Sequence, residues 1–189
     1  TQFLTKESVV LEYGSGGSTV AFGGDAKEWH SIEHDKEWFD QVQEALLPTK
    51  SAPERYKNVH CYLAENTPLS KEARERAVDS FGEDVVIDGI EDEFKDYINM
   101  VHKIGVKKYD IVLIDGRARA LCLKHILPYL KETSFVYVHD WQRAEYHTSD
   151  NLKYYTDEKV ISSGEIRVAK GMTINGTKEM VRLRKFFPD

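Results

Sequence analysis

The run Glu12-Tyr13-Gly14-Ser15-Gly16-Gly17 places three glycines directly after a short β-branched stretch, Val9-Val10-Leu11. Glycine tolerates positive φ and lets a ligand approach the backbone closely, and the helix start expected after the turn offers unpaired N–H groups. Glu12 narrows what such a turn would hold. A carboxylate there disfavours a pyrophosphate and suits a ligand carrying an ammonium or sulfonium charge. Thr19 stands where a G-x-G-x-x-G fingerprint needs its third glycine, so the dinucleotide spacing is absent. An adenosine-type ligand needs an acid about 20 residues further on, at the end of the second strand, to accept from its ribose hydroxyls. Glu33 occupies that position.

A second group of reactive side chains follows two later apolar runs. Asp115 ends Tyr109-Asp110-Ile111-Val112-Leu113-Ile114-Asp115, and His139-Asp140 ends Ser134 to Val138. His139 could act as general base toward a hydroxyl, or could orient Asp140. Asp115 and Asp140 could also form a hard oxygen site for a divalent cation, with water completing the shell. Arg117, Arg119 and Arg143 follow the strand ends. Their planar donors suit a carboxylate or phosphate on a substrate, or an ion pair with the neighbouring acids. Trp141, Tyr146, Tyr154 and Tyr155 offer an acceptor platform or ordinary packing surface.

Positioning these groups requires alternating strands and helices. Val9 to Leu11 reads as the first strand, Ser18 to Phe22 as a helix and Trp29 to Glu33 as the second strand. From Lys36 to Leu47, Trp38, Phe39, Val42, Ala45 and Leu46 recur at helical spacing. Val59 to Leu63 reads as a third strand, Asp92 to Ile104 and Ala118 to Leu130 as helices, and the two apolar runs as buried central strands. The β-α-β-α-β order predicts parallel pairing with right-handed crossovers. Residues 64–89 are polar and acidic with one helix from Ser70 to Phe81, and read as an insertion or lid. Lys159 to Ser162, Ile166 to Ala169 and Met180 to Phe186 are strand candidates, with an antiparallel pair expected among them.

A chain of 189 residues is expected to form one domain, 1–189. Its 41% hydrophobic and 31% charged residues fit a water-soluble fold without a membrane span. The net charge of −6 argues against a nucleic-acid partner. Lys178, Arg182, Arg184 and Lys185 read as the solvated face of a strand. Cys61 and Cys122 sit in apolar settings typical of free thiols, and no spacing suggests a structural zinc site. The chain begins at Thr1 almost on the first strand. The expected location is the cytoplasm, with a removed leader or anchor as the alternative. Oligomeric state is not legible.

Four motifs in register carry a resemblance. Glu12 to Thr19, Ser31-Ile32-Glu33-His34-Asp35, Tyr109 to Gly116 and Val138-His139-Asp140 resemble the successive motifs of class I S-adenosylmethionine-dependent methyltransferases, over about residues 8 to 143. Within that superfamily, Ile114 to Arg117 and His139 to Arg143 look most similar to small O-methyltransferases, glucuronoxylan-methyltransferase-like or catechol-type. The resemblance implies a Rossmann-like, doubly wound, mostly parallel sheet in a three-layer α/β/α arrangement with an antiparallel C-terminal strand. It implies S-adenosylmethionine as cofactor and a small-molecule or glycan hydroxyl as acceptor. Gly14 and Gly16 would line the methionine part, Glu33 would grip the ribose, and residues around Tyr62 to Glu65 would pass near adenine. Glu12, Ser15, Ser18, Thr19, His34 and Asp115 complete the expected cofactor set. Asp115, His139 and Asp140 would be catalytic, and Arg117, Trp141 and Arg143 would meet the acceptor. His139-Asp140-Trp141 stands where catechol-type enzymes carry Asp-Asn, and their lysine base has no counterpart among Arg117, Ala118 and Arg119, so a metal is not favoured. A non-catalytic module that keeps the fold and the cofactor is the alternative, motivated by the short N-terminus. An NAD-dependent oxidoreductase is disfavoured by Glu12 and Thr19.

Overall fold

The computed structural model describes residues 3–140 and, beyond them, the backbone of strands at 155–162, 167–168, 172–173 and 179–185. In chain order the strands are β1 (Val9–Tyr13), β2 (Glu28–Glu33), β3 (Val59–Leu63), β4 (Tyr109–Ile114), β5 (Leu130–His139), β6 (Tyr155–Ser162), β7 (Arg167–Val168), β8 (Met172–Thr173) and β9 (Glu179–Lys185). The helices are α1 (Gly17–Phe22), α2 (Lys36–Ala45), α3 (Lys71–Phe81), α4 (Glu83–Asp88), α5 (Glu91–Lys103) and α6 (Arg119–His125). The main sheet runs β3-β2-β1-β4-β5-β9-β6. Its first five strands are mutually parallel, and β9 lies antiparallel between β5 and β6. Strand order reverses between β1 and β4, which puts a ligand crevice at their carboxyl ends.

β1 is buried on both faces, as a central parallel strand must be. Leu11 and Tyr13 pack into the larger core with Tyr97, Ile98 and Val101 of α5 and Cys122 and Leu123 of α6. Val10 lies in a second cluster with Trp29 and Ile111, against which Phe22 of α1 packs. Tyr13 is fully buried and its hydroxyl donates to the Ile98 carbonyl at 2.9 Å. Both faces thus hold the β1 terminus in place.

Local chemistry sets the helix starts. Asp35 caps α2 by accepting from the Trp38 N–H at 2.9 Å, and Ser70 caps α3 by accepting from Ala73 at 3.2 Å. The helix expected from Ala118 to Leu130 ends at His125, and Pro128 falls in a 3₁₀ turn at Leu127–Tyr129. The following strand starts at Leu130 rather than Ser134, with its register against β4 shifting between Tyr109 and Ile111.

The 64–89 segment is more firmly docked than a polar insertion would be. Ala77, Val86 and Ile90 form a small buried cluster of their own, with Leu69, Val78 and Val85 against it. Asp88, at the end of α4, is 3% exposed. Among the described residues no helix is long and apolar enough to cross a membrane.

Candidate functional site

The glycine turn sits where the sequence puts it, at the carboxyl end of β1. Gly14 has φ +90°, and a Cβ on it would lie 2.6 Å from the Gly116 backbone nitrogen. A Cβ on Gly116 would meet the Tyr97 hydroxyl at 2.0 Å. The two glycines therefore let the ends of β1 and β4 close on each other over Tyr97. Trp38 of α2 donates from its indole nitrogen to the Ser15 carbonyl at 2.6 Å, and its ring lies against Gly16. Sequence reading gave Trp38 only a place on an apolar helix face.

Glu12 is fully buried. Its carboxylate accepts from the Ser18 and Thr19 hydroxyls, from the Trp29 indole at 2.9 Å and from the Ser31 hydroxyl at 2.7 Å. Thr19 Oγ1 also accepts from the Gly16 N–H at 2.9 Å. Burial pushes the Glu12 carboxyl above its ordinary value of 4.5, against the opposing pull of these four donors. In the structure Glu12, Ser18 and Thr19 bond to one another and tie α1 to β1 and β2. Exclusion of a dinucleotide by the Glu12 charge weakens accordingly, because that charge is enclosed by donors.

Glu33 ends β2 and is 3% exposed. Its Oε1 accepts from the backbone N–H groups of His34 and Asp35 at 2.8 and 2.9 Å, and lies 2.9 Å from His34 Nδ1. Its Oε2 accepts only a long 3.3 Å bond from Ser15 Oγ. Burial works to raise its pKa, but the His34 imidazole and the two backbone donors outweigh it and hold Glu33 below 4.5. His34 is wedged edge-on between Phe94 and Tyr97, with ring centroids 5.3 and 5.4 Å away. The turn, Glu33 and His34 thus come together through Ser15. Tyr62 does not join them, because its hydroxyl pairs with His30 Nδ1 at 3.0 Å along the sheet.

At the ends of β4 and β5, His139 Nδ1 lies 2.6 Å from Asp115 Oδ1 and 3.5 Å from Asp140 Oδ1. Asp115 is half exposed, while Asp140 is buried in a left-handed conformation at φ +56°. Arg119, 7% exposed, lies beneath all three. It donates to Asp140 Oδ2 at 2.9 Å and to the carbonyls of Gly116, His139 and Asp115 at 2.9, 3.1 and 3.3 Å. Arg117 is exposed and donates to the Ile87 carbonyl at 3.1 Å. Trp141 and Arg143 lie outside the described residues, as does Tyr146.

Sequence reading missed Asp88 and underrated Arg119. Ala118, at φ +50°, begins α6 without a side-chain cap of its own. Asp88 supplies one from 31 residues away, accepting from the Arg119 N–H at 2.9 Å, while its carbonyl accepts from Ala118 at 2.7 Å. Only the helix-start signal at Ala118, which is itself no capping residue and follows Gly116 and Arg117, hinted that a cap must come from elsewhere. Among the described residues no group of three or more His, Cys, Asp or Glu is arranged to hold a metal ion. Two concavities, of about 690 Å³ beside Lys6, Asp25 and Arg55 and about 210 Å³ beside Phe3, Asp110 and Phe135, lie at the amino ends of the strands, away from these groups.

No family model matches the sequence, and no curated protein matches it either. Solved structures do match the fold. A tRNA (m1A58) methyltransferase of Aquifex aeolicus, 18% identical, aligns over 98% of this chain and 65% of its own, with a TM-score of 0.58. An rRNA methylase of Streptococcus thermophilus, 13% identical, aligns over 98% and 91%, with a TM-score of 0.59. The fold is that of Rossmann-like methyltransferases. A Streptococcus mutans protein assigned as a methyltransferase and solved with S-adenosylhomocysteine shares this fold at 13% identity, over 98% of this chain and 92% of its own, with a TM-score of 0.58. The chain spans just under two thirds of the Aquifex protein and nearly all of the other two. In an open doubly wound sheet ligands bind beyond the carboxyl ends of the strands at the order reversal, and the turn, Glu33 and the His139 cluster all lie at the carboxyl ends of β1, β2, β4 and β5 in this chain.

Proposed function

We propose that this chain binds S-adenosylmethionine across the carboxyl ends of β1 and β2 and transfers its methyl group to a hydroxyl oxygen of a small-molecule or glycan acceptor. The observation that carries the reading is Glu33: a buried acid, held ionised by local donors, with one oxygen satisfied and the other bonded only weakly to the glycine turn. That free acceptor capacity matches a ribose hydroxyl, and the adjacent backbone of Gly14 and Gly16 is where the amino-acid end of such a ligand would lie. When bound, the cofactor supplies a sulfonium methyl open to in-line attack. The protein must then align the acceptor and take its proton.

His139 is the group for that proton. Two carboxylates lie 2.6 and 3.5 Å from its Nδ1, and a hydrogen carried there would leave Nε2 as the basic nitrogen. Asp115 and Asp140 would stabilise the imidazolium formed as the acceptor loses its proton. Arg117, Trp141 and Arg143 are proposed to contact the acceptor. The solved neighbours named for tRNA and rRNA methylation suggest a nucleic-acid acceptor instead, but a net charge of −6 works against a phosphate backbone.

Incubation with methyl-labelled S-adenosylmethionine and a panel of sugars, uronic acids, catechols and unmodified tRNA tests this directly. Label on a hydroxyl compound is expected. Label on tRNA alone would overturn the acceptor class, and cofactor binding without transfer to any acceptor would favour the non-catalytic module.

A further inference from the structure

Asp115 and Asp140 are the only acids placed at the ends of β4 and β5 among the described residues, and they are the donor set on which a divalent cation would depend. A magnesium-sized ion demands an octahedral shell of oxygens at about 2.1 Å, with carboxylates free to turn toward it. The residues here do not fit it. Asp140 is buried, and its Oδ2 is taken by Arg119 Nη1 at 2.9 Å. Asp115 Oδ1 is 2.6 Å from His139 Nδ1 and 3.9 Å from Arg119 Nη2. A guanidinium cannot be deprotonated, and this one is held by three backbone carbonyls, so it will not swing aside for an incoming ion. A second cation next to it would meet a like charge in a partly desolvated site.

We infer that Arg119 is a built-in cation: it supplies at the strand ends the positive charge that a divalent metal would otherwise bring, and it closes the Asp115–Asp140 pair to metal ions. The inference rests on the proposed reading for its catalytic meaning, but the occupancy itself does not. Arg119 touches no reacting atom in this arrangement and is a positioning residue. Its guanidinium balances Asp140 and fixes the His139 carbonyl, while Asp88 anchors its backbone N–H. The reach of Asp88 ties the 64–89 segment to the start of α6 by hydrogen bonds from the Arg119 and Ala118 backbone.

Manganese(II) serves as the probe, followed by electron paramagnetic resonance on the full chain, with S-adenosylhomocysteine binding measured on the same samples. The wild-type protein is expected to take up no Mn(II) at these acids at millimolar metal. Arg119→Met, if folded, is expected to gain a Mn(II) site at least 10-fold tighter than wild type, and Asp140→Asn in that background is expected to abolish it. A wild-type Mn(II) site lost on Asp140→Asn or Asp115→Asn would overturn the inference, as would a folded Arg119→Met protein that gains none. If Arg119→Met does not fold, Arg119→Gln carries the test. A neutral amide keeps hydrogen-bonding capacity without the charge, so a gained Mn(II) site that Asp140→Asn removes supports the inference and no uptake contradicts it. Failure of the homocysteine analogue to bind would sink the cofactor reading and leave the manganese result standing on its own.

Discussion

Two buried glutamates lie near the carboxyl ends of neighbouring parallel strands, and their surroundings drive them in opposite directions. Glu12, one residue before the end of β1, is enclosed by four neutral donors, and burial wins, so its pKa lies above 4.5. Glu33, closing β2, is 3% exposed but faces an imidazole and two backbone N–H groups, and its pKa lies below 4.5. The comparison separates two jobs that sequence alone merges under "acid at a strand end". The first acid is an internal tether. The second keeps a charge and a spare acceptor at the edge of the crevice.

Breaking the tether should have the largest effect. Glu12→Ala leaves the Ser18, Thr19, Trp29 and Ser31 donors without their acceptor in a closed interior, at a cost of about 3–5 kcal/mol by the scale of broken buried networks. Urea unfolding should record that loss. Glu12→Gln, which retains one acceptor oxygen, should recover a substantial part of it. If Glu12→Ala proves neutral in stability and instead weakens ligand binding, the two glutamates have been assigned the wrong way round.

Next in size is the response to Glu33→Ala. Loss of a charged acceptor to a ribose hydroxyl should weaken S-adenosylhomocysteine binding by roughly 10- to 100-fold, or about 1.4–2.8 kcal/mol. Asp140→Ala should weaken it less, because Asp140 belongs to the β5 end and its partner is Arg119. Calorimetry on both variants ranks them, and a reversed order would mean that the cofactor lies over the β4–β5 ends.

The pH dependence sharpens the contrast further. Glu33 binds its proton less tightly when folded, so its stabilising contribution is present above about pH 4.5 and is lost as pH falls through its lowered folded value. Glu12 binds its proton more tightly when folded, so its contribution is fully present below pH 4.5 and is lost as pH rises through its raised folded value. Unfolding free energies measured from acid to neutral pH should therefore steepen on the acid side through Glu33 and decline on the neutral side through Glu12. Glu33→Gln should remove the first slope and Glu12→Gln the second. Equal effects of both substitutions on one limb would refute the assignment.

The smallest effect is expected at Trp38. Trp38→Phe removes the 2.6 Å bond to the Ser15 carbonyl while keeping a ring over Gly16, and should cost about 1 kcal/mol in thermal or urea unfolding. A change in ligand affinity larger than the change in stability would make Trp38 part of the binding surface.

The sequence makes the alternation of strands and helices legible because Val9 to Leu11, Ile111 to Ile114 and Phe135 to Val138 are apolar runs that stop abruptly at polar residues. The α5 helix, expected at Asp92 to Ile104 and found at Glu91–Lys103, follows from its amphipathic spacing. The place of Glu33 at the end of β2 is legible for the same reason. Glu12 is not. Its role depends on Trp29 and Ser31, alternate residues of β2 that share one face, meeting two hydroxyls of α1. The alternation was visible, but nothing in one strand says which face its neighbour's acid occupies. Asp88 and Arg119 were harder still. Their contact spans 31 positions and joins a polar segment of weak periodicity to a helix start, so no local pattern carries it.

Calorimetric titration of the full chain with S-adenosylhomocysteine tests the central claim most directly. One binding site that is weakened by Glu33→Ala is the result predicted by the cofactor reading. No detectable binding at millimolar ligand to the folded wild-type protein would contradict it.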